Sequence, residues 1–318
     1  MKLPSVRRYS AILPGIVLAA VTFWSGCGAP PSNTPARAAD LRAPTVRGHL
    51  LIVGGGPLPP EVLSRFVELA GGPGRARIVV FPMSSSDPDA GIELTADFRK
   101  MGAAAERIVL DHAQADTAAA AARMDGVTGV WFGGGDQVLL TKALGGTRTE
   151  AAIHARYRDG AVIGGTSAGA AVMSTPMLTG DERHPGGARP PAKDSTDAFM
   201  TIARDNVVTV PGFALIRGAV VDQHFVRRRR HNRLISVVLE HPDLVGVGID
   251  ESTALEIEPG GGWRVLGLSV AVVYDARRAV ITPAAAPTLG VSDIRLSVLP
   301  AGSRYDLKTG KVVLPGMR

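Results

Sequence analysis

What most constrains this chain is an alternation: apolar runs of four or five residues end in glycine or serine tracts, and stretches with apolar positions at helical spacing lie between them. His49 to Val53 ends in Gly54-Gly55-Gly56 and precedes a helical pattern from Glu61 to Ala70. Arg77 to Phe81 runs toward Ser84-Ser85-Ser86 and a second helical stretch near Ile92 to Met101. Arg107 to Leu110, a helix near Thr117 to Met124, and Gly129 to Phe132 before Gly133-Gly134-Gly135 continue it, and Ala161 to Gly164 leads to a helix from Ser167 to Met173. Short strands without internal polar alternation, each followed by a helix, specify a parallel sheet covered on both faces. In such a sheet a ligand sits beyond the carboxyl ends of the strands. All the glycine-rich runs fall at that edge.

The second half is less regular. Thr175 to Thr196 is rich in Pro, Gly, Asp and Arg and reads as an exposed insertion after the Ser167 helix, able to cover the site. A strand is expected after Val207 and another at Ala219 to Val221, then a basic helix from about Phe225 to Leu239 and a strand from Val245 to Ile249. Trp263 to Tyr274 reads as a strand or hairpin, and the tail from about residue 262 as strand-rich. No internal repeat is present.

With 318 residues, 45% of them hydrophobic, the chain can bury a core of one large domain or two small ones, which excludes disordered and fibrous classes. Its amino terminus has a different character. Lys2, Arg7 and Arg8 precede an apolar stretch from Ala11 to Phe23, too short to span a bilayer comfortably, and then Trp24-Ser25-Gly26-Cys27. Residues 1–27 read as an export signal ending in a cysteine with small residues before it, the context in which bacterial lipoproteins are acylated. Residues 28–46 read as a tether and 47–318 as the folded domain. Cys27 is the only cysteine, so no intramolecular disulfide forms. The expected location is therefore outside the cytoplasm, lipid-anchored through Cys27 or secreted, with the membrane met only through that anchor. The first three basic residues carry half of the net charge of +6, which leaves the domain without a nucleic-acid binder's balance.

Gly165-Thr166-Ser167-Ala168-Gly169 fits a G-x-S-x-G elbow, in which a tight strand-to-helix turn exposes the serine oxygen. The amide of Ala168 would lie at the helix amino end, where a developing oxyanion is favoured. A serine needs a base, and the base needs an acid to hold its tautomer. Of seven histidines, His224 in Asp222-Gln223-His224-Phe225 follows an apolar strand and occupies the expected rim. His49, His112, His154 and His184 lie elsewhere, and His231 and His241 belong to the following helix. On position alone the acid is Asp222, Asp250 or Glu251. An order of serine, histidine, acid with Glu251 disfavours an α/β-hydrolase lipase or esterase, where the acid precedes the histidine. The run Arg227 to Arg230 is either a solvated helix face or a carboxylate clamp. No metal-ligand cluster with convincing spacing is present, and with aromatics at 5% there is no stacking platform for nucleic acid.

Four motifs in order, Gly133-Gly-Gly-Asp-Gln137, Gly165-Thr-Ser-Ala-Gly169, Asp222-Gln-His-Phe225 with Arg228, Arg230 and Arg233, and Gly248-Ile-Asp-Glu-Ser-Thr-Ala254, resemble the cyanophycinase family of S51-type serine peptidases across roughly residues 48–275. The resemblance implies an α/β fold of three layers with a mostly parallel sheet, like class I glutamine amidotransferases, commonly dimeric and with no cofactor or metal. It implies cleavage of cyanophycin, a poly-aspartate with arginine on each side-chain carboxyl, to β-aspartyl-arginine dipeptides. It also implies Ser167 as nucleophile, His224 as base, Glu251 as acid, Gly135 and Ala168 as oxyanion donors, and Gln137, Asp222, Gln223, Arg228, Arg230 and Arg233 as substrate-binding or site-shaping residues. Asn232 stands where the family often has glycine, and the 175–197 segment has no family counterpart; both bear on substrate choice. An aspartyl dipeptidase or isoaspartyl peptidase is the second reading, and a non-catalytic peptide-binding surface lipoprotein the third.

Overall fold

The computed structural model of the chain describes residues 46–183, 201–286 and 288–316. The signal segment, Cys27, the tether to residue 45 and most of the 175–197 insertion lie outside the described residues.

In chain order the elements are β1 (Leu50–Val53), α1 (Pro60–Leu69), β2 (Arg77–Phe81), α2 (Ile92–Lys100), β3 (Ala104–Arg107), α3 (His112–Ala115), α4 (Ala118–Ala122), β4 (Gly129–Phe132), α5 (Gln137–Leu144), α6 (Arg148–Asp159), β5 (Val162–Thr166) and α7 (Ala168–Ala171). There follow β6 (Met177–Glu182), β7 (Val207–Val210), β8 (Ala219–Gln223), α8 (His231–Glu240), β9 (Val245–Ile249), β10 (Thr253–Ile257), β11 (Gly262–Gly267) and β12 (Val270–Asp275). The tail holds β13 (Val280–Ile281), β14 (Val291–Ser292), β15 (Arg295–Pro300), β16 (Arg304–Asp306) and β17 (Lys311–Val313).

A nine-stranded sheet runs β17-β16-β11-β10-β1-β5-β4-β2-β3. Its half from β1 to β3 is wholly parallel, and its half from β10 to β17 is antiparallel. A four-stranded sheet, β15-β12-β9-β8, adds a further parallel pair, β8 and β9. β1 shows why both faces of the large sheet must be covered. Leu50 and Ile52 enter one apolar cluster and Leu51 and Val53 another, and all four are fully buried. On the second face Phe66 of α1 and Phe98 of α2 close on Trp131 of β4, with the Phe66 and Trp131 rings edge-to-face at 4.9 Å and 88°. The first face carries Leu140 and Leu144 of α5, Ile153 and Tyr157 of α6 and the inner side of the small sheet, and α8 covers that sheet's outer side. The helix starts have local causes. Asp111 and Gln114 form a reciprocal capping box at α3, and the Thr117, Asp136 and Thr147 side chains cap α4, α5 and α6.

Four expectations are corrected. The third strand is Ala104–Arg107, three residues earlier than Arg107 to Leu110; its buried position is held by the small Ala105, and the more apolar stretch after it is loop. The basic helix begins at His231; residues 225–230 form a turn in which Arg229 has φ +52°, incompatible with a helix. Trp263 to Tyr274 is no hairpin, since β11 joins the large sheet and β12 the small one. The first part of the insertion is exposed only in part: Thr175, Gly180, Asp181 and Arg183 are exposed, but Met177 and Leu178 are buried in β6, which pairs with β7.

Candidate active site

The carboxyl ends of β1, β5, β4 and β2 in the large sheet and of β8 and β9 in the small sheet meet at one rim. The Ser167 amide donates to the Val53 carbonyl at 3.0 Å within the large sheet, and backbone bonds stitch the two sheets together, from the His224 amide to Gly54 at 2.6 Å and from the Ser252 amide to Gly55 at 2.8 Å. Ser167 follows β5 and starts α7 with φ +54° and ψ −110°, a strained conformation for a residue with a side chain. The strain aims its hydroxyl off the sheet. His224 follows β8 at φ +48° and Glu251 lies two residues beyond β9.

These three residues, separated by 57 and 27 positions, form one hydrogen-bonded line. Ser167 Oγ is 2.8 Å from His224 Nε2, and His224 Nδ1 is 2.7 Å from Glu251 Oε1. A carboxylate only accepts, so Nδ1 carries the proton and Nε2 is left to accept from the serine hydroxyl. The imidazole is buried, and a Cβ placed on Gly55 would stand 2.3 Å from its Cε1, so the ring has no room to swing toward β1. Burial pushes the His224 pKa down, and the nearby Arg228 and Arg230 charges add to that, against the hydrogen bond it donates to Glu251. The ring is held neutral, the state in which it can take a proton.

The other two acid candidates are engaged elsewhere. Asp250 accepts the amides of Val226 at 3.1 Å and Arg227 at 2.9 Å on one oxygen, and the Ser269 hydroxyl at 2.8 Å on the other. Asp222 is fully buried against Arg233, whose Nε donates to it at 2.7 Å. Position alone left three acids open; the geometry brings Glu251 to the ring.

Gly135 and Ala168 flank the serine. Among the described residues neither amide makes a hydrogen bond. A Cβ on Gly134 would lie 3.5 Å from that of Ser167, so the Gly133 to Gly135 loop adjoins the nucleophile position.

The six expected substrate-binding or site-shaping residues divide, and four of them bond within the protein. Gln137 is buried with Nε2 donating to the Leu178 and Thr179 carbonyls, both at 2.6 Å, so it ties α5 to β6. Asp222 and Arg233 hold one another beneath the rim, and the buried Gln223 side chain accepts from Arg230. Their polar atoms bond within the protein because the site floor is too deeply buried to leave them unpaired. Arg228 is exposed, with its backbone amide donating to the His224 carbonyl at 2.9 Å. Arg230 is half-buried, its pKa drawn down to about 9 by burial and by Arg233, which leaves it cationic at neutral pH. Sequence reasoning did not assign Ser84, Gly55 and Ser269 to the site, and weighed Asp250 only as the acid; the serine tract after β2 and the glycine tract after β1 hinted at the first two. Among the described residues no cluster of potential metal ligands occurs.

The sequence from residue 50 to 262 matches the model of Peptidase family S51, a span that includes all three residues of the line. The chain belongs to peptidase family S51. Its S51 relatives include a cyanophycinase from Synechococcus elongatus, 35% identical over 260 residues, which cover 79% of this chain and 76% of that protein. A cyanophycinase from Trichormus variabilis is 32% identical over 294 residues, covering 89% and 93%. Among solved structures, that of a peptidase from an acI-B1 Actinobacterium aligns with a TM-score of 0.56 at 20% identity over 85% of this chain and 98% of that one. The S51 chain is thus a peptidase with the glutamine amidotransferase-like α/β fold.

Proposed function

We propose that this peptidase hydrolyses cyanophycin to β-aspartyl-arginine dipeptides through an acyl-enzyme on Ser167. The observation that carries the chemistry is the unbroken line from Ser167 Oγ through the His224 ring to Glu251. Ser167 Oγ adds to the scissile carbonyl carbon while its proton passes to Nε2, and the carbonyl oxygen takes the negative charge opposite the Gly135 and Ala168 amides. The imidazolium, steadied by Glu251, returns the proton to the leaving amine as the C–N bond breaks. Water then repeats the cycle on the ester, its proton going to Nε2 and back to Ser167.

Two observations favour cyanophycin as the substrate. Both relatives described above bear that activity in their names. In the polymer each arginine is attached through its amine, so its carboxylate is free, and the cationic Arg228 and Arg230 stand beside His224 to receive it. The test is incubation of purified protein with insoluble cyanophycin alongside panels of Asp-X and β-Asp-X dipeptides. Release of β-aspartyl-arginine from the polymer supports the proposal, and turnover of short peptides alone replaces it with a dipeptidase.

The amino-terminal reading extends the proposal: the chain is exported and acylated at Cys27. Labelled palmitate should enter the wild type and not Cys27→Ser when both are expressed in bacteria; equal incorporation contradicts it.

A further inference from the structure

Ser84 lies three residues past the end of β2 and is 1% exposed. It takes no part in the proton line, yet it grips the loop beside Ser167 at two points. Its hydroxyl donates to the Gly134 carbonyl at 2.8 Å, and its own carbonyl accepts the Asp136 amide at 2.7 Å. Gly135, between those two contacts, has φ +140°, and a Cβ there would stand 2.1 Å from the Ser84 carbonyl oxygen. The close approach admits only glycine. The Ser84 segment is itself fixed, since the Ser85 amide donates to the Pro82 carbonyl at 2.9 Å.

In a trans peptide the carbonyl and the following N–H point to opposite sides. A hydroxyl that holds the Gly134 carbonyl toward β2 therefore turns the Gly135 N–H away from it, on a loop whose Gly134 abuts Ser167. Two successive glycines have little intrinsic resistance to rotation of the peptide between them. We infer that Ser84 is a positioning residue for acyl transfer: through the Gly134 carbonyl it fixes the direction in which the Gly135 amide meets the oxyanion. The inference rests on the proposed role of Gly135 as an oxyanion donor. Ser84 touches no reacting atom; its contribution is that the donor is already oriented when charge develops, where a free peptide would have to reorient during the reaction.

The test compares wild type, Ser84→Ala, Ser84→Thr and Ser167→Ala on insoluble cyanophycin, with thermal midpoints to confirm that each variant is folded. Removing a whole oxyanion donor costs about 100- to 1000-fold in kcat, so loss of its support in Ser84→Ala should cost roughly 10- to 100-fold in kcat, with KM within about twofold of wild type. Ser84→Thr, which keeps the hydroxyl, should recover most of the loss. A folded Ser84→Ala with wild-type kcat overturns the inference. So does a loss that Ser84→Thr shares in full, because the hydroxyl is then not its cause. If Ser167→Ala is as active as wild type, the underlying account of the site fails instead, and that outcome is read independently of the Ser84 pair.

Discussion

His224 sits between two opposing influences: burial and two arginines that favour its neutral form, and Glu251, which favours the charged one. The first group prevails, so the imidazole protonates only below its ordinary value of 6.5. Because the neutral ring is the active form, the acid limb of a kcat/KM profile should fall below that pH. Arg228→Ala removes one of the charges that hold the pKa down, so its acid limb should move to higher pH; an unmoved or lowered limb contradicts the assignment. The same residue shows what sequence could and could not disclose. Ser167 was legible because its elbow is local, with the turn written in the five residues around it. His224 was legible from its place at a strand end. On position alone the acid was not, because Asp222, Asp250 and Glu251 all lie at or beside strand ends; the family resemblance named Glu251, and the folded packing shows that the other two bond to other partners.

At the scale of elements, the turn of residues 225–230 matters most, since it carries Arg228 and Arg230 to the rim. Asp250 pins its start through the Val226 and Arg227 amides, and Arg230 is tied to Gln223 at its end. Asp250→Ala should loosen the turn, leaving the proton line intact: KM for the polymer should rise about tenfold, with a smaller fall in kcat, as expected where binding and not chemistry is lost. A fall in kcat at constant KM would show that Asp250 acts on the reaction itself. This turn was read from sequence as helix because its arginines are good helix formers and continue without a break into α8; neither pattern nor propensity reveals that Arg229 adopts a positive φ. The parallel strands were legible for the opposite reason. β1, β2, β4 and β5 are buried on both faces, so each is an uninterrupted apolar run bounded by turn residues. β11 and β12 were merged because they adjoin in sequence, and nothing local tells that they enter different sheets.

Over the whole molecule, one ion pair fastens the outer helical layer to the antiparallel half of the large sheet. Glu256 on β10 is fully buried and receives Arg65 of α1 through two bonds, at 2.7 and 3.0 Å. Burial alone would raise the Glu256 pKa, but His49 and Arg65 outweigh it and bring it down to about 2 from the usual 4.5. A carboxylate with a depressed folded-state pKa contributes stability that is complete above about 4.5 and is lost as pH falls toward 2. Acid titration of the thermal midpoint should therefore fall steeply across that window, and Glu256→Gln should start lower and fall less; parallel curves would contradict the pairing. The parallel half of the fold was legible because its strands alternate with helices along the sequence. The assembly of one rim from two separate sheets was not, since β8 and β9 meet β1 and β5 through core packing and bonds between residues far apart in sequence.

The account depends on one hydroxyl, and the direct measurement is the turnover number of Ser167→Ala relative to wild type, on whichever substrate of the cyanophycin and aspartyl-dipeptide panels the wild type cleaves. The relay predicts a loss of at least about 10,000-fold with the fold unchanged. A folded Ser167→Ala that retains activity within tenfold of wild type would contradict it.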